Sequence, residues 1–309
     1  MTGAPHLGPH RAVTSRRGCL WIPGDVVGLA GGMFLRGPMF AEWEAPEPLG
    51  GLPPVVLVHG GGGQGTDWLT TPDGRDGWAR ELVAAGFPVY VVDRPGHGRS
   101  PRYGEVGAAP PVEVIARVFA PKEREGTHTQ WPWRRDPEGA ELTQLASSAG
   151  PMATDLAAAQ DIEARRLTSL LERTGPAIVI THSAGAPAGW LTAARGPGNV
   201  LAVVAVEPMG PPFSDIPHVG HLAGGLTCAE LPDAALRDLP VAVVTGSASP
   251  FPGSGATAEF LRGLGARVTP MPLRDLGLTG NGHAPMIEAN SSDVLVPIVD
   301  WIRSVLPAH

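Results

Sequence analysis

Short apolar runs rich in β-branched residues alternate with longer stretches of helical periodicity along most of the chain. The runs are Val55–His59, Val89–Asp93, Ala177–Thr181, Val200–Glu207, Val241–Thr245 and Ala266–Met271, with Gly or Pro at their margins. The central ones are apolar at every position, the pattern of parallel strands covered by helices on both faces. Between them, Trp78–Ala85, Asp155–Arg173, Ser183–Ala194 and Asp293–Leu306 repeat apolar residues with a helical period, and the first three run out at or near Gly86, Gly175 and Gly196. Strand–helix alternation of this kind predicts an α/β fold with a doubly wound, mostly parallel sheet. Val26–Trp43 reads as a leading antiparallel hairpin. Residues 101–152 carry no clear strand. A loop of that length without structure does not suit a compact domain, so the stretch reads as a cap or lid insertion.

The chain has 309 residues, 43% hydrophobic and 17% charged, which suits one globular domain over 21–309. A net charge of −7 gives no general reason to bind nucleic acid. No apolar window is long enough for a membrane span. Met1–Cys19 carries Arg11, Arg16 and Arg17, with no apolar h-region before Pro23, so residues 1–20 read as a flexible tail on a cytoplasmic protein. Cys19 and Cys228 are two cysteines far apart, and their pairing stays open.

The chemistry concentrates at strand ends. Ile180-Thr181-His182-Ser183-Ala184-Gly185 joins an apolar run to a helical one. A nucleophilic serine needs such a sharp strand-to-helix turn, with small neighbours where the chain passes close to itself. Thr181 stands where the usual G-x-S-x-G has its first glycine. His59 followed by Gly60-Gly61-Gly62-Gly63 fits a loop whose backbone N–H groups meet a developing oxyanion. It lacks the Lys-Ser/Thr of a phosphate loop and leads into Thr66-Asp67-Trp68 rather than a dinucleotide-binding helix. In Asp93-Arg94-Pro95-Gly96-His97, the histidine reads as structural.

The base is expected late in the chain, and Gly280-Asn281-Gly282-His283 supplies it. His218 and His221 come too early. The acid usually follows the strand at Val241–Thr245, but Gly246-Ser247-Ala248-Ser249-Pro250 holds no carboxylate. Glu207, at the end of the preceding strand, is the stronger candidate, with Asp275 and Asp233 next. Trp68 is expected to line a substrate pocket, and Phe119, Trp131 and Trp133 to line it too or else to anchor the insertion. HExxH and paired Cys-x-x-Cys spacings are absent, so no metal or other cofactor is implied.

Together these residues resemble the α/β-hydrolase superfamily, and within it a small family of bacterial esterases with a Ser-Glu-His triad whose glutamate follows strand 6. The likeness runs from about Gly31 to the last helix. It is most specific at Thr70-Thr71-Pro72-Asp73-Gly74-Arg75-Asp76-Gly77-Trp78, with support from Val206-Glu207-Pro208 and Gly280–His283. The resemblance implies Ser183 as nucleophile, Glu207 as acid, His283 as base, and the N–H groups of Gly61 and Ala184 as oxyanion hole. The family's adjacent cysteines are Gly61 and Gly62 here, so no vicinal disulfide carries over. The insertion does not match, and substrate preference does not transfer.

The expectation is a serine esterase acting through an acyl-enzyme on a small-molecule ester. A lactonase, an amidase, an acyltransferase or a non-catalytic receptor of the same fold are the alternatives, and a homodimer stays open.

Overall fold

Alternation within each central strand assigns its residues to two cores. Val55 and Leu57, Ile178 and Ile180, and Val204 and Val206 point to one face, while Val56 and Val58, Val179, and Val203 and Ala205 point to the other. All are buried, because helices cover both faces. The computed structural model describes residues 8, 10, 12–209, 215–216, 220–221, 231–251 and 254–307.

The strands are β1 (Ser15–Ile22), β2 (Asp25–Leu29), β3 (Gly32–Arg36), β4 (Met39–Pro46), β5 (Val55–Val58), β6 (Val89–Asp93), β7 (Ala177–His182), β8 (Val200–Val206), the two-residue β9 (Asp215–Ile216) and β10 (Gly220–His221), β11 (Pro240–Thr245) and β12 (Arg267–Pro272). Eight of them form one sheet in the order β1-β4-β6-β5-β7-β8-β11-β12. From β6 to β12 neighbours run parallel, and β4 and β1 add an antiparallel edge. The expected doubly wound, mostly parallel sheet is therefore present.

The helices are α1 (Thr66–Leu69), α2 (Trp78–Ala84), α3 (Val112–Phe119), α4 (Ala140–Ser147), α5 (Leu156–Thr174), α6 (Ala186–Arg195), α7 (Ser254–Gly263) and α8 (Ser291–Val305). Helices α2 and α8 cover the first face, with Leu82 and Ile298 in its core. Helices α5, α6 and α7 cover the second with Leu170, Trp190 and Leu261. Each such side chain stabilises the fold by about 1.5–3 kcal/mol.

One expectation changes at the N-terminus. Residues 15–20, assigned to a flexible tail, belong to edge strand β1, paired with β4 from Ser15↔Pro46 to Ile22↔Met39. The strand escaped notice because most of its side chains are exposed and its hold is backbone pairing, with Trp21 edge-on to Phe40 at 5.1 Å. The leading antiparallel hairpin expected within Val26–Trp43 is present as β2–β3, a separate two-stranded ladder, and β4 follows it in the main sheet. Cys228 and His218 lie outside the described residues; Cys19 is exposed on β1. No helix among the described residues is long and apolar enough to cross a membrane.

Residues 101–152 hold α3, a 3-10 turn at Lys122–Arg124, and α4, and they pack over the carboxyl ends of the strands. The segment is stitched down at its close by Gly150 N–H donating to the Gly62 carbonyl (2.6 Å) and by Gln64 Nε2 donating to the Ser148 carbonyl (2.9 Å).

Asp25, at the start of β2, ties the hairpin to α5. Its carboxylate meets Arg166 Nη2 at 2.7 Å and Arg165 Nη1 at 2.7 and 2.8 Å. The Arg166 hydrogen bond, more than any other contact, lowers the Asp25 pKa from 3.8 to about 2. A carboxyl depressed in this way stabilises the fold fully above its unfolded pKa and loses that contribution as pH falls through the folded one. Asp25→Asn should thus lower unfolding free energy at pH 7 by about 1–2 kcal/mol. The gap from wild type should close between about pH 4 and pH 2 in urea titrations. Equal stabilities at pH 7 would contradict the assignment.

Candidate active site

The turn after β7 puts Ser183 in the left-handed region, at φ 52°. That conformation disfavours residues with a Cβ and persists only where the surroundings dictate it. Here the Ser183 carbonyl accepts from Met209 N–H at 3.0 Å, and a 3-10 turn, Ser183–Gly185, leads into α6. Gly185 must lack a side chain, since a Cβ there would stand 2.3 Å from the His59 carbonyl oxygen. The spacing of small residues around the serine therefore follows from contact between the β5 and β7 loops.

His283 reaches the same point from the far end of the chain. Its Nε2 lies 2.9 Å from Ser183 Oγ, and its Nδ1 lies 3.3 Å from Glu207 Oε2. All three side chains are buried. The serine hydroxyl has a second acceptor, Met209 Sδ at 3.0 Å, but a thioether is the weaker one. Glu207 follows β8 directly and is itself left-handed, at φ 48°. Its carboxylate accepts from Gly246 N–H at 2.5 Å and from the Ser249 hydroxyl. The loop after β11, which lacks an acid of its own, supplies donors to this one. Asp275 is exposed beside Arg274, and Asp233 is exposed; neither meets the imidazole.

Electrostatics follow from the burial. Desolvation pushes the His283 pKa well down and that of Glu207 up; the Ser249 and Gly246 hydrogen bonds pull the carboxyl part of the way back. Neither group favours charge alone, so an imidazolium at His283 is best tolerated beside a charged Glu207. At rest the imidazole is neutral, the form a general base needs.

The Gly60–Gly63 loop is braced from behind. The Gly60 carbonyl accepts from His59 Nδ1 (2.9 Å) and from Arg94 Nη2 (2.9 Å), while Arg94 N–H donates to His59 Nε2 (2.9 Å). Arg94 is held by buried Glu163 at 3.0 Å. Asp93 accepts from Gly65 N–H at 2.7 Å and from Arg99 N–H at 2.8 Å. The Asp93–His97 turn is thus a brace, and His97 is buried in it with Nδ1 3.2 Å from the Pro95 carbonyl. The loop's near side faces the 3-10 turn that precedes α6: a Cβ at Gly61 would lie 3.1 Å from that of Ala184.

Ser183, His283, Gly61 and Ala184 all line one cavity of about 360 Å³. The insertion walls it with Val114, Val118 and Phe119 of α3 and with Leu145 and Met152, and the body adds Met209 and Phe251. Phe119 stands 5.9 Å from the His283 ring, centroid to centroid. The other three aromatics need correction. Trp68 is fully buried in the core, 5.7 Å from Trp78. Trp131 is buried and packs edge-on to Trp133 at 4.8 Å, and neither reaches the cavity lining. Trp68 and Trp131 belong to the core, with Trp133 packed against it.

Sequence reading missed several contributors. His182 donates from Nε2 to the His283 carbonyl at 2.8 Å, fixing the base's backbone from the residue beside the serine. Asp67 lines the cavity, and burial raises its pKa to about 7. The Thr70–Trp78 segment, the most specific of the sequence, proves to grip the chain just after His283. Arg75 Nη2 donates to the Glu288 carbonyl at 3.1 Å, and Trp78 Nε1 donates to the Ser291 carbonyl at 2.9 Å.

A model of the alpha/beta hydrolase fold matches residues 53–227. The chain is 28% identical to the probable secreted lipase phiG of a fungus (Fungal sp., strain ATCC 74256), over 88% of both chains. Among solved structures it is similar to a bacterial esterase, with a TM-score of 0.71 and 22% identity, covering 96% of this chain and 98% of that one. It is also similar to a serine hydrolase without a lid from Xanthomonas campestris, with a TM-score of 0.51 and 16% identity over 98% and 100%.

Burial should keep the His283 imidazole neutral through the mildly acidic range. In ¹⁵N NMR its titration midpoint should fall below the ordinary 6.5. A midpoint at or above that value would contradict the desolvated setting.

Proposed function

The chain belongs to the alpha/beta hydrolase fold family, and within it we propose a serine esterase that cleaves carboxylic esters through an acyl-enzyme. One observation carries this reading: a hydroxyl at 2.9 Å from a neutral imidazole, with a carboxyl group behind it, in the wall of an apolar cavity. The fungal relative's description as a lipase and the bacterial structure's as an esterase support ester substrates.

His283 Nε2 takes the Ser183 proton as Oγ attacks the ester carbonyl. The imidazolium forms beside Glu207, which orients Nδ1–H and balances the charge. The 3.3 Å separation shortens as that charge develops. The negative carbonyl oxygen is met by the N–H groups of Gly61 and Ala184, each worth about 3 kcal/mol in such sites. The imidazolium protonates the leaving alcohol, and the resulting neutral imidazole then activates water against the acyl-enzyme. An apolar lining suits an ester with an apolar acyl or alcohol part.

Ser183→Ala should abolish hydrolysis of short p-nitrophenyl esters and labelling by a fluorophosphonate; undiminished labelling would overturn the nucleophile. Glu207→Gln should lower kcat by about 10²–10⁴-fold with the fold intact, since the amide can neither orient nor balance the imidazolium. A near-wild-type rate would move the acid elsewhere.

A further inference from the structure

His283 sits on a loop, and a loop base needs something to hold it. Glu288, five residues on and fully buried, turns back to that loop and takes no part in the chemistry above. Its Oε1 accepts from Gly282 N–H at 2.9 Å, and its Oε2 accepts from Asn281 Nδ2 at 2.8 Å. The remaining donor comes from the insertion. His128, also fully buried, places Nε2 2.7 Å from Glu288 Oε1.

The tautomer is set by a neighbour. Arg135 Nη1, which can only donate, lies 3.3 Å from His128 Nδ1, so the ring proton belongs on Nε2, facing the carboxylate. Arg135 Nη2 also donates to the His128 carbonyl at 2.5 Å. The backbone repeats the join: Gln130 N–H donates to the Gly280 carbonyl at 3.0 Å, and Ala289 N–H donates to the Gln130 carbonyl at 2.9 Å. Packing is so close that a Cβ at Gly282 would stand 2.6 Å from the His128 ring. On the other side, Arg75 holds the Glu288 carbonyl from the body.

From this we infer that His128 and Glu288 are positioning residues, through which the 101–152 insertion sets the place of the His283 imidazole. The segment then does more than roof the cavity, since part of it is a clamp on the base loop. The inference rests on the esterase reading for its kinetic consequence, but the clamp itself is a property of the loop.

The test replaces His128 by leucine, which fills the space without a donor, and by glutamine, whose amide can reach Glu288. His128→Leu should lower kcat by about tenfold to a hundredfold, as expected for a misplaced general base. KM should stay within about threefold, because the apolar cavity wall is untouched. Amide hydrogen exchange at residues 280–284 should quicken, and His128→Gln should restore most of both. Arg135→Met, at a partly exposed residue, is the milder second arm and should shift kcat and exchange in the same direction. A wild-type kcat in His128→Leu, a loss confined to KM, or a glutamine variant no better than leucine would overturn the role. A wild-type enzyme without esterase activity would defeat the functional reading instead. Unchanged exchange in both His128→Leu and Arg135→Met would then still defeat the clamp.

Discussion

The hydrogen bond between Ser183 and His283 joins residues 100 positions apart, and the local architecture is arranged around it. Neither partner gets there by local preference. The serine is held left-handed by the turn between β7 and α6, and Glu207 is held left-handed just after β8. Such conformations cost of order 1–3 kcal/mol each. Hydrogen bonding offsets that cost in part, since the Ser183 carbonyl and the Glu207 N–H are both taken up, by Met209 beyond β8 and by Val244 of β11. A rigid parallel sheet thus presents the hydroxyl, and a braced loop presents the imidazole to it.

Burial is the second constraint, and it works in two directions. Desolvation keeps His283 neutral but lowers its basicity, which makes its charged state dependent on Glu207. It also favours pairing of the supporting polar groups, because an unpaired buried donor or acceptor costs about 1–3 kcal/mol. The result is a chain of hydrogen bonds. His182 holds the His283 carbonyl, Glu288 holds Gly282 and Asn281, and Arg94 holds the Gly60 carbonyl. Two further brackets, Arg75 on the Glu288 carbonyl and His128 on the Glu288 carboxylate, come from segments outside the sheet: the Thr70–Trp78 turn and the insertion.

The elements on the sheet were legible because burial on both faces leaves an unbroken apolar run, as in Val55–Val58 and Ala177–Thr181. Ser183 and His283 were legible because their chemistry needs small residues and a late loop, both visible as glycines. Glu207 could be found by elimination, since the loop after β11 offers no carboxylate. What escaped notice lacks a periodic or compositional signature. Edge strand β1 is largely exposed and held by backbone pairing. Trp68 and Trp131 look the same in sequence whether they face a pocket or a core. His128 and Glu288 are single polar residues 160 positions apart whose partnership exists only after folding. The one trace they left was the glycine at 282, which in sequence reads as loop flexibility and in structure is room for an imidazole ring.

The proposed chemistry passes through a covalent intermediate on one hydroxyl, that of Ser183. Rapid quenching of the protein with a slowly deacylating p-nitrophenyl ester, followed by peptide mass analysis, tests it most directly. The expected result is a burst of p-nitrophenol matched by an acyl mass on the peptide containing Ser183. Steady product release without any acylated peptide, or an acyl group carried by a different residue, would contradict it.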